Sequence, residues 1–138
     1  MLLPLPGEYV RDISLANHLA LIGCGEGVGL KHSVNELIQL AYLSFFIWEI
    51  GYGPERPDIF LEAERVLDSA VLRAESTGKW QLEEQELELM KRIVAVHDEQ
   101  LSSVSAQKYV AAKQRLEALL RVPQTVSPIQ ERCRELAS

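Results

Sequence analysis

The residues that could do chemistry surround a glycine-rich stretch near the amino terminus. Four glycines stand at alternate positions from Gly23 to Gly29, in the segment GCGEGVG. Alternating glycines give the backbone freedom at positive φ and weaken a helix, so this stretch predicts a loop. A glycine-rich turn can hold a nucleotide or another cofactor, but it does so between a strand and a helix of a parallel sheet. Only helices are predicted after Gly29, which favours a mobile structural loop and no cofactor.

Two histidines and a cysteine flank that stretch and could meet at a metal ion. His18, Cys24 and His32 provide the nitrogen and sulfur ligands that zinc accepts. Their spacing matches no usual zinc motif, so the sequence predicts no metal site. The alternative is a small-molecule or metal-binding, enzyme-like site at Gly23–Gly29, which would require these three side chains to converge.

The third histidine, His97, precedes Asp98 and Glu99 on a predicted helix. An imidazole beside carboxylates can act as a base or a ligand, but such a triplet is more often a helix surface. The chain contains no Gly-x-Ser-x-Gly, His-Glu-x-x-His or phosphate-loop motif. We therefore expect no catalytic residue, and the sequence favours a protein that is not an enzyme.

Composition and charge narrow the classes of partner. The 138 residues suffice for one domain with its own core, and 47% hydrophobic and 25% charged residues are typical of a globular protein. Twenty acidic against fourteen basic residues give a net charge of −6, which opposes binding to nucleic-acid phosphates and anionic lipid. The two cysteines are far apart and the amino terminus lacks a secretory pattern, so we expect free thiols and a cytoplasmic protein.

The longest apolar segment, Ser33–Ile50, predicts the helix around which the rest of the chain is organised. Ser33 and Glu36 have the spacing of a capping box, which places the start of the helix at Ser33. From Leu40 to Trp48 the side chains are almost all apolar, so this helix must be buried on all sides. Polar and charged residues interrupt the run before it reaches the length of a membrane span, so we expect no membrane contact.

We expect an all-α, single-domain helical bundle of about five helices with this long apolar helix at its centre. The expected division is an extended arm over residues 1–11, the bundle over 12–122 and a short carboxy-terminal helix or tail over 123–138. Residues 18–22 alternatively suit a buried strand. Periodic apolar residues and helix-end signals predict helices at about Asp12–Ile22, Ser33–Ile50, Pro57–Thr77, Leu82–Leu101, Ala106–Arg121 and Pro128–Leu136. The first of these helices is expected to bury Ile13, Leu15, Ala16, Leu19, Ala20 and Ile22.

Four aromatic residues near the end of the central helix suggest a contact surface. Tyr42, Phe45, Phe46 and Trp48 lie within seven consecutive positions, which span nearly two helical turns. One bundle cannot easily enclose rings that point in so many directions, so we expect some of them to face a second subunit. The sequence therefore predicts a homodimer whose interface contains these four residues.

The favoured function is a non-enzymatic protein–protein interaction module, a regulator or adaptor that acts as a homodimer and binds an unidentified protein partner. The alternative is a nucleic-acid-binding transcriptional regulator that uses the basic fifth helix, where four basic residues accompany one acidic residue. Residues 82–90 carry four glutamates, so antiparallel neighbours could pair these opposite charges, or both segments could be solvated faces. The acidic balance of the whole chain argues against nucleic acid as a partner.

Overall fold

The computed structural model describes residues 3–25, 31–122 and 126–138. Within those ranges the regular secondary structure consists of helices and includes no strand, which confirms the predicted all-α bundle. The described residues form six helices rather than about five, because the segment after Ser127 is a complete helix. The helices are α1 (Gly7–Gly25), α2 (Lys31–Ile50), α3 (Asp58–Thr77), α4 (Glu84–Ser103), α5 (Ala106–Arg121) and α6 (Pro128–Ala137).

The long apolar helix α2 lies at the centre of the bundle, as predicted. It packs against α1, α3, α4 and α5. Leu37, Phe45, Phe46 and Ile47 are all buried, and at 3.6 residues per turn they point in four different directions. An all-round apolar surface therefore receives neighbours on every side, which is the outcome that its composition requires.

The predicted start of α2 is wrong. The helix already includes Lys31 and His32, so Ser33 lies inside its first turn and does not cap it. The carboxylate of Glu36 pairs with His32, at 2.9 Å from its Nε2. Residues four positions apart meet on a helix surface, so this pair occupies the carboxylate that was expected to reach the Ser33 amide.

Helix α1 begins earlier and ends later than predicted. It starts at Gly7, which shortens the expected arm, and it continues through residues 18–22 to Gly25, which excludes a strand there. The first three residues of the predicted glycine loop are thus helical, and Glu26–Gly29 lie outside the described residues. A methyl group at Gly25 would lie 3.1 Å from Leu87 Cδ1. The glycine therefore permits close packing of α1 on α4, and it does not serve a positive φ.

The residues before α1 dock on the start of α5. The carbonyl of Leu3 accepts a hydrogen bond from the Ala106 N–H at 2.8 Å, and Leu5 is buried. Tyr9, in the first turn of α1, packs edge-to-face on Tyr109 with ring centroids 5.7 Å apart. The amino-terminal segment is therefore part of the packed body.

Unlike the start of α2, three other helix ends form as their local chemistry predicts. Gly78 ends α3 with a left-handed φ of 77°, a conformation that glycine adopts without steric cost. Ser105 precedes α5 and Ser127 precedes α6, and each serine Oγ accepts hydrogen bonds from backbone N–H groups of the first turn. These caps satisfy donors that a helix start otherwise leaves unpaired.

A buried polar contact fixes the end of α2 against α4. Ser44 Oγ donates to Gln100 Oε1 at 2.6 Å. The amide nitrogen of Gln100 donates to the backbone carbonyls of Ser44 and Tyr52, at 3.0 and 2.9 Å. Because both the oxygen and the nitrogen of the Gln100 amide have hydrogen-bond partners, burying this side chain leaves neither polar atom unpaired.

Candidate functional site

The four aromatic residues predicted as an interface are largely enclosed by the chain itself. Phe45 and Phe46 are buried, whereas Tyr42 and Trp48 are half-buried and pack against the core. Phe45 meets the ring of Phe60 on α3 edge-to-face at 6.0 Å. The premise that one bundle could not enclose these rings is wrong, because the helices around α2 each cover one of its sides. The expected aromatic dimer interface thereby loses its physical reason.

An exposed apolar surface lies on α1 instead. Leu15, Leu19 and Ile22 are 59%, 58% and 53% exposed. Their spacing of four and three residues places them on one side of the helix, and Ala16 beside them is also exposed. We call these four residues the outer face of α1. Leu72 on α3 is 68% exposed, but it has no such companions at helical spacing.

The outer face was expected to lie inside the bundle. Of the residues expected inside, Ala20 is buried and Ile13 packs against the core. Leu21 and Cys24 are buried in place of the outer face. A helix with leucines and isoleucines on two sides gives no clear choice of buried side. Gly25 permits a close approach of α1 to α4 on the buried side, while Leu15, Leu19 and Ile22 remain in solvent.

Two grooves between α1 and α4 flank the outer face. One groove, of about 530 Å³, is lined by Ile22 and Lys91. The other groove, of about 520 Å³, is lined by Leu15 and Asp98. His18 lines both grooves, and its Nε2 lies 3.1 Å from Asp98 Oδ2. The outer face therefore has Lys91 beside one end, and both Arg11 and Asp98 beside the other.

The three side chains considered for a metal site have separate environments. His18 pairs with Asp98, and His32 pairs with Glu36. Cys24 is buried, and burial raises the pKa of its thiol to about 11, so it is protonated at neutral pH. Within the described ranges, no three His, Cys, Asp or Glu side chains are grouped so that they could hold a metal ion.

Two basic residues of α5 face the chain itself. The Arg115 guanidinium pairs with Glu49 of α2 at 2.6 Å and lies over the Phe46 ring at 4.3 Å. Lys108 Nζ lies 5.4 Å from the centre of the Tyr52 ring. Contacts of this kind compete with phosphate for the same charges. They weaken the support for α5 as a nucleic-acid-binding helix.

The acidic start of α4 pairs with α3. Arg73 lies 2.7 Å from the Glu86 carboxylate and donates to the Gln81 carbonyl at 3.0 Å. None of the ion pairs between described residues joins α4 to α5. The opposite charge patterns of these two segments therefore do not reflect pairing within one chain.

A buried carboxylate, Glu64 on α3, is a feature that sequence reasoning missed. Only 5% of this residue is exposed. Tyr42 Oη donates a short hydrogen bond to its Oε2, and Ser127 Oγ donates to the same atom at 2.6 Å. Burial, and then the Glu64 carboxylate, raise the pKa of Tyr42 above its ordinary value. The site joins α2, α3 and the start of α6, so no local sequence pattern could indicate it.

His97 lies in the core rather than on the surface that its polar neighbours suggested. It is fully buried and lines a small cavity of about 190 Å³ with Asn17 and Lys113. Neither of its ring nitrogens has a hydrogen-bond partner among the described residues. Burial lowers its pKa to about 4, so the imidazole is neutral at pH 7.

The chain matches no protein-family model, and comparison with curated proteins and with solved structures finds no match. Within the described ranges, none of the helices has the length and apolar character needed to cross a membrane. A functional proposal therefore rests on the surfaces and cavities described above.

Proposed function

We propose that the protein is a non-enzymatic helical interaction module, a regulator or adaptor, that acts as a homodimer through the outer face of α1. The observation that carries this proposal is the exposure of Leu15, Leu19 and Ile22 along one side of one helix. Exposed apolar side chains that form a stripe mark contact surfaces more often than isolated ones do. The proposed interface thus lies on α1 rather than on the aromatic end of α2.

A second copy of the chain fits this surface because a two-fold axis would place the Lys91 end of one outer face against the end of the other that carries Asp98 together with Arg11. A two-fold axis near Leu19 would set two α1 helices antiparallel, with Leu15 of one copy near Ile22 of the other. The same operation brings Lys91 of one copy toward Asp98 of the other, twice per dimer. Both residues have partners within their own chain, Lys91 with Glu88 at 3.0 Å and Asp98 with His18. These intrachain pairs are solvent-exposed and therefore weak, so they can exchange.

The apolar area allows a transient dimer rather than a permanent one. Burial of the exposed half of a leucine or isoleucine contributes about 1 kcal/mol. Three such side chains from each copy contribute about 6 kcal/mol, against an association cost of about 4 kcal/mol or more. If each of the two charged pairs at the rim adds about 1 kcal/mol, the net free energy is about −4 kcal/mol, and we expect a dissociation constant of about 1 mM.

The test compares two leucine-to-glutamate variants by sedimentation velocity, from about 20 µM to about 1 mM. Leu19→Glu places a charge at the centre of the proposed interface. Leu72→Glu makes the same change at an exposed leucine outside it. The wild type and Leu72→Glu should gain mass as concentration rises, whereas Leu19→Glu should remain monomeric. A wild type that stays monomeric throughout, or a Leu19→Glu variant that dimerises as well as the wild type, would overturn the proposal.

The proposal also places the protein in the cytoplasm. Cys24 and Cys133 are both free thiols, which fits a reducing compartment. Co-purification with the native protein would identify the partner protein that the module regulates.

A further inference from the structure

Among the described residues, no basic side chain pairs directly with Glu64. Glu64 is the one carboxylate-bearing side chain that is buried in the described ranges, and it forms no ion pair there. Its Oε2 accepts hydrogen bonds from Tyr42 and Ser127, but its Oε1 has no partner among the described residues. An unpaired buried charge costs several kcal/mol. A positively charged group nearby would lower that cost.

A cavity of about 500 Å³ lies against this carboxylate. It is formed between α3, the end of α5 and the start of α6, and Asp68 adds a second carboxylate one helical turn after Glu64. Burial and then the charge of Glu64 raise the pKa of Asp68 above its ordinary value. Two carboxylates beside one cavity make a strongly negative end.

The rest of the cavity wall is mainly apolar. Leu119, Leu120 and Pro128 line it. Arg121 is also part of the wall, and its guanidinium lies 3.9 Å from the Glu117 carboxylate, which partly offsets its charge. A ligand that fits this cavity has a positive end and an apolar body.

We propose that this cavity binds a small organic cation, a primary ammonium group on a short apolar chain. The ammonium group lies beside Asp68 and in the field of Glu64, and the chain lies along Leu119, Leu120 and Pro128. Tyr42 and Ser127 position the Glu64 carboxylate, which acts on the cation through its electric field, because its Oε1 is enclosed by protein. A bare divalent cation fits less well, because calcium requires six to eight oxygen ligands and most of this wall is apolar.

The experiment is a titration of the full-length, ¹⁵N-labelled protein with three probes of equal chain length, followed by amide chemical shifts. The probes are n-hexylamine, 1-hexanol and hexanoate, all at pH 7. We expect n-hexylamine to shift the amides of Asp68, Ser127 and Gln130. We expect 1-hexanol and hexanoate to bind at least about tenfold more weakly, because each lacks the positive charge.

Three variants separate the site from general charge effects. Glu64→Gln and Asp68→Asn should each weaken n-hexylamine at least about tenfold. Glu62→Gln, at an exposed position on the same helix, removes one charge outside the cavity and should leave the affinity within about twofold. Asp68 is exposed, so its variant keeps the test valid if Glu64→Gln unfolds the protein.

Several outcomes would overturn the proposal. One is 1-hexanol binding as tightly as n-hexylamine, which would make the cavity a simple apolar site. Another is an unchanged amine affinity in Asp68→Asn. A third is displacement of n-hexylamine by millimolar calcium chloride at constant ionic strength, which would assign the carboxylates to a metal ion.

Discussion

Lowering the pH from 7 to 5 should destabilise the folded protein through one buried side chain, His97. Burial lowers the pKa of its imidazole from 6.5 to about 4, Gln100 and Asp98 oppose this shift, and Lys113 adds to it. Between these two pKa values the unfolded chain binds a proton that the folded chain does not bind. Stability therefore falls as the pH falls through this window.

The size of the loss follows from the two pKa values. At pH 7 the histidine is mostly neutral in both the folded and the unfolded chain, so its burial lowers the free energy of unfolding by about 0.2 kcal/mol. At pH 5 it is protonated in the unfolded chain and neutral in the folded one, and the cost rises to about 2 kcal/mol. Below pH 4 the cost levels off at about 3 kcal/mol. A domain of this kind has a total stability of about 5–15 kcal/mol, so the effect is measurable.

Urea unfolding followed by circular dichroism at the two pH values measures this difference. His97→Leu removes the titrating group from the core, and His32→Gln removes an exposed histidine as a control. Between pH 7 and pH 5, the free energy of unfolding of the wild type and of His32→Gln should fall by about 2 kcal/mol more than that of His97→Leu. An equal loss in all three proteins would refute the reasoning, since it would show that His97 titrates alike in the folded and unfolded chains.

Two further predictions concern the core. Gln100→Leu should lower the free energy of unfolding by about 2–3 kcal/mol, because it removes three hydrogen bonds that join α4 to Ser44 and Tyr52. The exposed Gln114→Leu should change it by less than about 0.5 kcal/mol in the same urea experiment. Cys24 should not react with a thiol reagent at pH 8 until the protein unfolds, because it is buried and burial raises its pKa to about 11. The partly exposed Cys133 should react in the folded protein, and two rapidly reacting thiols would contradict this.

The centre of the fold could be predicted from the sequence because its signals are local and redundant. Helix α2 is apolar nearly all round, and burial on all sides is the one arrangement that satisfies such a surface. Gly78 and Ser127 mark helix ends through chemistry that acts within one turn. The aromatic residues of α2 were predicted to face a second subunit, and that prediction did not anticipate the four other helices that enclose them.

The orientation of α1 could not be predicted, because two of its sides compete. Leu15, Leu19 and Ile22 form one apolar stripe, and Leu21 with Cys24 forms another. The buried stripe also includes Val10 and Ile13, which pack against the core, so apolar residues alone did not favour one side. Gly25 permits close contact with Leu87 on the buried side, and a glycine that serves packing looks the same in sequence as a glycine that serves a loop.

The Glu64 site could not be predicted from the sequence for a different reason. Glu64 lies on an amphipathic helix rich in charged residues, where a glutamate is ordinarily solvated. Its partners Tyr42 and Ser127 are 22 and 63 residues away in sequence. Only the tertiary packing of α2, α3 and α6 brings these three side chains together, so neither spacing nor composition could indicate them.

The outer face of α1 and the Glu64 cavity are built from different helices. The outer face and its grooves belong to α1 and α4, whereas α2, α3, α5 and α6 line the cavity. Changes at separated sites without shared partners have additive effects. Leu19→Glu should then leave n-hexylamine affinity unchanged, and Glu64→Gln should leave dimer formation unchanged. If the amine altered the dimer dissociation constant, α2 and α4 would have to transmit the effect, since both pack against α1 and α3, and the two sites would be coupled reciprocally.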